Sequence, residues 1–255
     1  RRPPRSTPLY SSAASDVYKR QIPTTAGTGS EVSVGFVIIM SDGRKVTFAS
    51  PHFVPRAAIC DPELTFGLPK ALTAATGMDA ITHCIEAFLT PTINPPADGV
   101  ALDGLWRGWH ALPIAVENGQ DRDARWQMMM CSTEGALSFI KGLGAVHAIS
   151  HAAGRIERLN LHHGTLNAVL LPAVLRFNAS VCGEKYKRLG QAMGLSPKAD
   201  LAEAVSAMNA EIGLPSGLGD MGGLVAELCS EVFGILPGVA VDIDDHGVRT
   251  YRLGV

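Results

Sequence analysis

The sequence predicts a mainly α protein, with a long helical body behind a short β-rich lead. Two observations carry this reading. From Pro69 onward glycine becomes sparse inside long segments, and Ala, Leu and Met recur at helical spacing. Before that point, Val32–Met40 is β-branched and apolar, Ser41-Asp42-Gly43 is a turn, and Lys45–Ala49 resumes an extended pattern, which together read as a hairpin. A further apolar stretch, Ala57–Cys60, ends at Asp61-Pro62, so the change of character falls between Asp61 and Pro69. Beyond it the spacing predicts helices over Pro69–Thr76, Gly77–Leu89, Pro96–Trp109, Arg122–Ile140, Gly144–Arg155, His163–Asn178, Gly183–Met193, Lys198–Ile212 and Gly222–Phe233. Gly142 is the expected stop after the fourth of these.

The 255 residues suffice for one large domain or two smaller ones. With 46% apolar and 18% charged residues and a net charge of −2, the composition is that of a globular protein with a sizeable core. No basic excess suggests nucleic acid. The apolar runs Val34–Met40 and Asn167–Leu175 are far shorter than the roughly 20 residues of a membrane span, so no membrane partner is expected. The five cysteines never form a Cys-x-x-Cys pair, which argues against a thiolate metal site or a disulfide framework and makes a cytoplasmic location the default. Residues 1–21 differ from all that follows. They are rich in Arg, Ser and Pro without a signal-peptide core, and Asp16–Gln21 is what a transposon-adapter end of a sequencing library encodes. The segment is read as a translated artefact or a disordered leader and is left out of the fold.

The stretch Gly142–Asn167 holds His147, His151, His162 and His163, set among small and apolar residues around the first. A buried imidazole must find a partner, and a divalent metal would satisfy several at once. His147 and His151 are four apart, as are Asp79 and His83 in Gly77-Met-Asp-Ala-Ile-Thr-His, and on a helix this spacing stacks the pair on one face. Taken singly, each has a plainer reading: an intrahelical hydrogen bond, a satisfied core histidine, a polar loop before Gly164. Together they predict one carboxylate and three imidazoles converging on a cation. The loop Ile22-Pro-Thr-Thr-Ala-Gly-Thr-Gly-Ser-Glu-Val offers hydroxyls and amides that suit a phosphate or ribose, but it matches neither the Rossmann nor the Walker fingerprint and by itself is an ordinary Gly/Thr loop.

These residues carry a resemblance. Pro23-Thr-Thr-Ala-Gly-Thr-Gly-Ser-Glu-Val, Asp61-Pro-Glu-Leu-Thr, Gly77-Met-Asp-Ala-Ile-Thr-His-Cys-Ile-Glu-Ala, Gly142-Leu-Gly-Ala-Val-His-Ala-Ile-Ser-His, and His163-Gly followed by Asn167-Ala-Val-Leu-Leu-Pro resemble the iron-containing (group III) alcohol dehydrogenases, in the family's order, over roughly Ile22 to Gly222. The resemblance implies an all-helical metal-binding domain (67–235) preceded by a β-rich remnant (22–66) of an α/β dinucleotide-binding domain, with the active site between them. It implies Asp79, His83, His147 and His163 as metal ligands and His151 as the residue that moves the substrate's proton. It places Thr24, Thr25, Thr28 and Ser30 against the cofactor and Lys45 near its ribose. The implied cofactors are Fe2+ or Zn2+ and NAD or NADP. The implied substrate is a small alcohol or aldehyde, and the resemblance is compatible with a homo-oligomer.

Three departures qualify the match. No Gly-Gly-Gly-Ser-type pyrophosphate loop occurs, so the chain reads as truncated at its amino end and its cofactor affinity is expected to be weak. The interval from His151 to His163 is slightly long, which leaves His162 as a competing ligand. Residues 236–255 depart from the family's usual ending and read as a divergent or artefactual tail. Two further classes stay open on the residues alone: a metal-dependent hydrolase, and a metal-binding helical module without catalysis. The methionines at 128–130, Trp106 with Trp109, and Cys84 are read as packing.

Overall fold

The computed structural model describes residues 20–40, 45–154, 161–221, 239–243 and 249–253. Its strands form three separate two-stranded pairs. β1 (Arg20–Gln21) runs parallel to β4 (Ala57–Ala58), and β2 (Gly35–Ile39) pairs antiparallel with β3 (Lys45–Ala49), Gly35 opposite Ala49 and Ile39 opposite Lys45. This is the expected hairpin; its turn at Ser41–Gly43 lies outside the described residues. β5 (Val239–Ile243) and β6 (Arg249–Leu253) also pair antiparallel. Both strands lie in the stretch 236–255 that reads as a divergent or artefactual tail. Of the leader expected over residues 1–21, Arg20 and Gln21 form β1, contrary to the expectation that the whole segment stays out of the fold. Residues 1–19 and the helix expected over Gly222–Phe233 lie outside the described residues.

The lead turns into the helical body through a short 3-10 turn, Pro62–Thr65. Asp61 caps it by accepting from the Glu63 amide at 3.0 Å, and the Thr65 hydroxyl donates back to the Pro62 carbonyl at 2.7 Å. The Asp-Pro-Glu-Leu-Thr motif is thus a self-closing corner. The central helix α1 (Lys70–Leu89) follows and packs against α2 (Pro95–Glu117), α3 (Arg122–Ser138) and α5 (His163–Asn178). It is buried on nearly every side, so its polar residues Asp79, His83 and Glu86 are inside the protein with the apolar ones.

Two helices expected over Pro69–Leu89 are thus one. Gly77, read as a break, lies inside it, because a Cβ there would come within 2.3 Å of Leu112 Cδ1 and 2.9 Å of Met128 Cε. The residue serves close helix packing, at the modest propensity cost of an interior glycine. α2 likewise runs on past Trp109 to Glu117. Pro113 removes one backbone donor, but Leu112, Ala115 and Val116 bury that turn and hold it. Asn94, Asp121 and Asp200 cap the starts of α2, α3 and α7 (Leu201–Glu211) through their side chains. α3 passes into a 3-10 turn over Phe139–Lys141, and Gly142 ends it at φ +101°. α4 (Ala145–Ala153) and α6 (Gly183–Ala192) complete the helices among the described residues.

Met78, Ile81, Ile85 and Phe88 of α1 form the core with Leu105 and Leu112, Met128 and Met129, and Leu171 and Leu175. Burying side chains of this size stabilises the fold by about 1.5–3 kcal/mol each. Met128, Met129 and Cys84 are core as expected. Trp106 is not: its side of α2 faces solvent, while Trp109 packs on the core. The C-terminal carbonyls of α1 are satisfied by Lys185, whose ammonium donates to Phe88, Leu89 and Thr90 at 3.0, 3.3 and 2.5 Å. Lys141 pairs with Asp98 beside it. Cys60, Cys84, Cys131 and Cys182 are free thiols. No helix among the described residues is long and apolar enough to cross a membrane.

Candidate metal centre

Three helices aim polar side chains at one buried point. α1 contributes Asp79, His83 and Glu86, whose spacing of four and then three places them on one face over two turns. α4 contributes His147, Ser150 and His151, and α5 contributes His163 and Asn167 from its first two turns. Pro172, deeper in α5, lies beyond the turns that carry these residues.

Asp79 Oδ1 is the hub. It lies 3.4 Å from His147 Nε2, 3.6 Å from His163 Nε2 and 3.8 Å from His83 Nε2. Ligand atoms of Asp79, His147 and His163 all fall within 4.8 Å of one another, which is the tight trio. His83 stands at its edge, its ring stacked on that of His147 with centroids 4.5 Å apart and its Nε2 turned toward the same carboxylate. His162 is exposed and caps α5, its Nδ1 accepting from the Thr165 amide at 3.4 Å. Of the two competing neighbours, His163 is the one brought to the centre. His151 lies beside the trio, its ring centroid 5.0 Å from that of His163. Asp79, His83 and His147 are buried, whereas the His163 side chain is 34% exposed, so the nest opens past His163 and the half-buried His151.

The supporting residues were not singled out in the sequence. Glu86 accepts from the ring Nδ1 of His147 at 2.7 Å and from the backbone of Val146 and His147 at 2.7 and 3.2 Å. Ser150 Oγ lies 3.3 Å from His163 Nδ1 and donates to the His147 carbonyl at 3.3 Å. Asn167, fully buried, donates through Nδ2 to Asp79 Oδ1 at 2.7 Å, and the same nitrogen lies 3.1 and 3.2 Å from Nε2 of His147 and His163. The signal that finds all three is the one used for the histidines: Asn167 is four after His163, Glu86 is three after His83, and Ser150 is three after His147.

Burial opposes charge on Asp79, but His83, the hydrogen bond to His147 and the nearby His163 outweigh it and hold the carboxyl well below the usual range. Burial alone would lower His147, yet its hydrogen bonds to Asp79 and Glu86 raise it to about 9. His83 and His163 are pushed down to about 4, first by burial and then by neighbouring imidazoles, against the pull of Asp79. The centre thus holds an ionised carboxylate, two neutral imidazoles and a protonated His147, whose Nε2 proton a divalent cation would displace on binding. The Asn167 amide nitrogen lies against Asp79 Oδ1 and the Nε2 atoms of His147 and His163, and its own Oδ1 is buried without a hydrogen-bond partner. His83 Nδ1 also lacks a partner in hydrogen-bond geometry, although the Gly27 backbone is near enough to favour its charged form. The protein's own donors leave this nest incompletely satisfied, and an O/N set of this kind fits ferrous iron or zinc.

The Gly/Thr loop behaves differently. Pro23, Ala26, Gly27 and Gly29 face inward, while Thr24 and Thr28 are exposed and Thr25 and Ser30 half-buried. The glycines serve packing: a Cβ on Gly27 would meet Thr76 Cβ at 2.9 Å. One on Gly29, at φ +57°, would meet Ala136 Cβ at 2.2 Å and the Ser132 carbonyl at 2.5 Å. The Gly29 amide also bonds Ser132 Oγ at 3.1 Å. Thr28 Oγ1 accepts from the Ser30 amide at 3.4 Å, and Ser30 Oγ accepts from Gln21 at 2.6 Å. Lys45 opens β3, opposite Ile39. A separate cavity of about 520 Å3 between α5, α6 and α7 shares no residue with either site.

Comparison with known proteins gives the chain a family. Residues 73–229 match the Fe-containing alcohol dehydrogenase family in its C-terminal part, and residues 12–62 match iron-containing alcohol dehydrogenase. The chain belongs to the iron-containing alcohol dehydrogenase family. It is 59% identical over 208 residues to the 4-hydroxybutyrate dehydrogenase of Cupriavidus necator, with 79% of this chain and 54% of that protein covered. Among solved structures, it resembles a 1,3-propanediol oxidoreductase (TM-score 0.77, 34% identity, 84% of this chain and 59% of that one). It also resembles the NAD+ complex of sulfoacetaldehyde reductase from Bifidobacterium kashiwanohense (TM-score 0.76, 30% identity, 84% and 57% covered). The chain spans about half the length of the curated relatives it matches.

Proposed function

We propose that this chain carries the metal-holding part of an NAD(P)-linked alcohol dehydrogenase that interconverts a small alcohol with its aldehyde or ketone. The observation that carries the reading is a buried, ionised Asp79 oxygen with the Nε2 atoms of His147 and His163 at 3.4 and 3.6 Å and that of His83 at 3.8 Å. Asp79, His83, His147 and His163 are the proposed ligands. Fe2+ is the proposed native ion, from family membership, and Zn2+ suits the same donors. When bound, the ion would supply charge stabilisation at the substrate oxygen, and the nicotinamide would supply the hydride acceptor or donor.

The chain's own residues supply the rest. His151 is the proposed group that takes the hydroxyl proton during oxidation and returns it during reduction, a reading supported by its half-buried position at the open side of the nest. The apolar helices behind α1 keep water from the buried side. Thr24, Thr25, Thr28, Ser30 and Lys45 are assigned to the cofactor, supported by the outward exposure of Thr24 and Thr28 over a loop that its glycines anchor. Residues 22–66 are read as the cofactor-side part and 67–235 as the metal-binding catalytic domain. Glu86 is fully engaged by His147 and two backbone amides, so it is not free to act as the general base that a hydrolase would need. The test is elemental analysis of protein purified without air, with NADH fluorescence titrated on the same sample. About one iron or zinc per chain with NADH binding supports the reading. Protein that is folded by circular dichroism yet free of metal contradicts it.

A further inference from the structure

We propose that Glu86 is a positioning residue: by accepting the Nδ1 proton of His147, it fixes Nε2 as the ring atom that faces Asp79, and it sets the register of α4 against α1. The inference rests on the metal-centre reading for its consequence, though not for its geometry.

Four contacts converge on one buried carboxylate. Oε1 accepts from the Val146 amide at 2.7 Å, and Oε2 accepts from the His147 amide at 3.2 Å and from His147 Nδ1 at 2.7 Å. The fourth is steric. A Cβ on Gly144 would lie 2.5 Å from Oε1, so that position leaves the carboxylate just the room it needs. The cap residue Gly144 has no side chain with which to satisfy the first amides of α4. Glu86 does so from another helix, with the charge that a helix amino end favours.

The same two oxygens decide the imidazole. A carboxylate has no hydrogen to donate, so His147 must present a hydrogen at Nδ1, which leaves Nε2, 3.4 Å from Asp79 Oδ1, as the ring nitrogen that can give up its proton to a cation. His83 provides the internal contrast, because its Nδ1 lacks a comparable partner. Glu86, Asp79 and His83 share one face of α1, so a single rigid helix carries two ligands together with the anchor for a third.

A purely structural role predicts that any acceptor of the same size would do. Glu86→Gln separates the two ideas, since its amide oxygen can still accept from Val146 while its NH2 group confronts His147 Nδ1 with a donor. Zn2+ affinity is measured by competition with a fluorescent chelator, and the hydrogen-bonded Nδ1 proton of His147 is followed by long-range 1H–15N spectra. The expected result for E86Q is a loss of zinc affinity of about 10- to 100-fold, with loss of the Nδ1 proton signal and helix content retained. Wild-type affinity together with an unchanged Nδ1 proton in E86Q would overturn the proposal. If E86Q does not fold, the wild-type spectrum decides: a hydrogen-bonded proton at Nδ1 supports the assignment, and its absence overturns it. If the wild-type chain binds no zinc, the metal reading fails, while the Nδ1 proton still tests Glu86 independently.

Discussion

The buried Asp79 nest and the Gly/Thr loop are both polar regions of a largely apolar body, and they are built on opposite principles. In the nest, side chains point inward and each functional group is held by another: Asp79 by Asn167, His147 by Glu86, His163 by Ser150. In the loop the backbone is held, by Gly27 and Gly29 pressed onto α1 and α3, and two of the four assigned hydroxyl side chains are free to face outward. A buried site must satisfy its polar groups internally or lose stability, whereas an exposed loop can leave them to solvent or ligand. The nest therefore reveals its chemistry in the chain alone, while the loop reveals only where its backbone is anchored.

The largest effect expected concerns the hub of the nest. Asp79→Ala and His163→Ala should each reduce zinc binding below detection in a chelator competition, whereas His162→Ala should leave it unchanged. Equal losses in the His162 and His163 variants would break the distinction between cap and ligand. Next is the loop's anchor. Gly29→Ala places a side chain at positive φ against Ala136 and should destabilise the fold by about 2–4 kcal/mol in denaturant titration. Zinc affinity should hold within a few-fold once the variant is folded, and a large loss of affinity would show that the two regions are not independent. The His162→Ala cap loss should cost less than about 1 kcal/mol in the same titration, because its capping contact is exposed and long at 3.4 Å.

The smallest effect compares a buried carboxylate with a half-buried one. Asp79 faces imidazoles and is held low, while Glu134 is raised to about 7 by burial and then by the nearby Asp103, despite Arg107. Because the folded state binds the Glu134 proton more tightly than the unfolded chain does, its stabilising contribution is fully present below about pH 4.5 and is lost as the pH rises toward 7. Glu134→Gln should therefore flatten the decline in melting temperature over that interval. An unchanged pH profile would remove Glu134 as its source.

Much of this was legible in the sequence, because helical spacing alone places Asp79 with His83 and His147 with His151. The helix His163–Asn178 and the hairpin fall where periodicity puts them. What local pattern could not supply was the third dimension. Gly77 reads as a break unless Leu112 and Met128 are known to press on it, and Gly29 reads as a phosphate-loop residue unless Ala136 is seen beneath it. Glu86 and Asn167 escaped because their roles are defined by partners 61 and 88 residues away. The choice between His162 and His163 likewise depends on which one the first turn of α5 directs inward and which one caps it.

The central claim is that one carboxylate and three imidazoles hold a single divalent ion. Zinc K-edge X-ray absorption on the chain loaded with one equivalent of Zn2+ tests it most directly. The account predicts a low-coordinate shell of O/N donors at about 2.0–2.1 Å, with outer-shell scattering from three imidazoles that falls to two in His83→Ala. A six-coordinate shell of oxygen donors without imidazole scattering would contradict it.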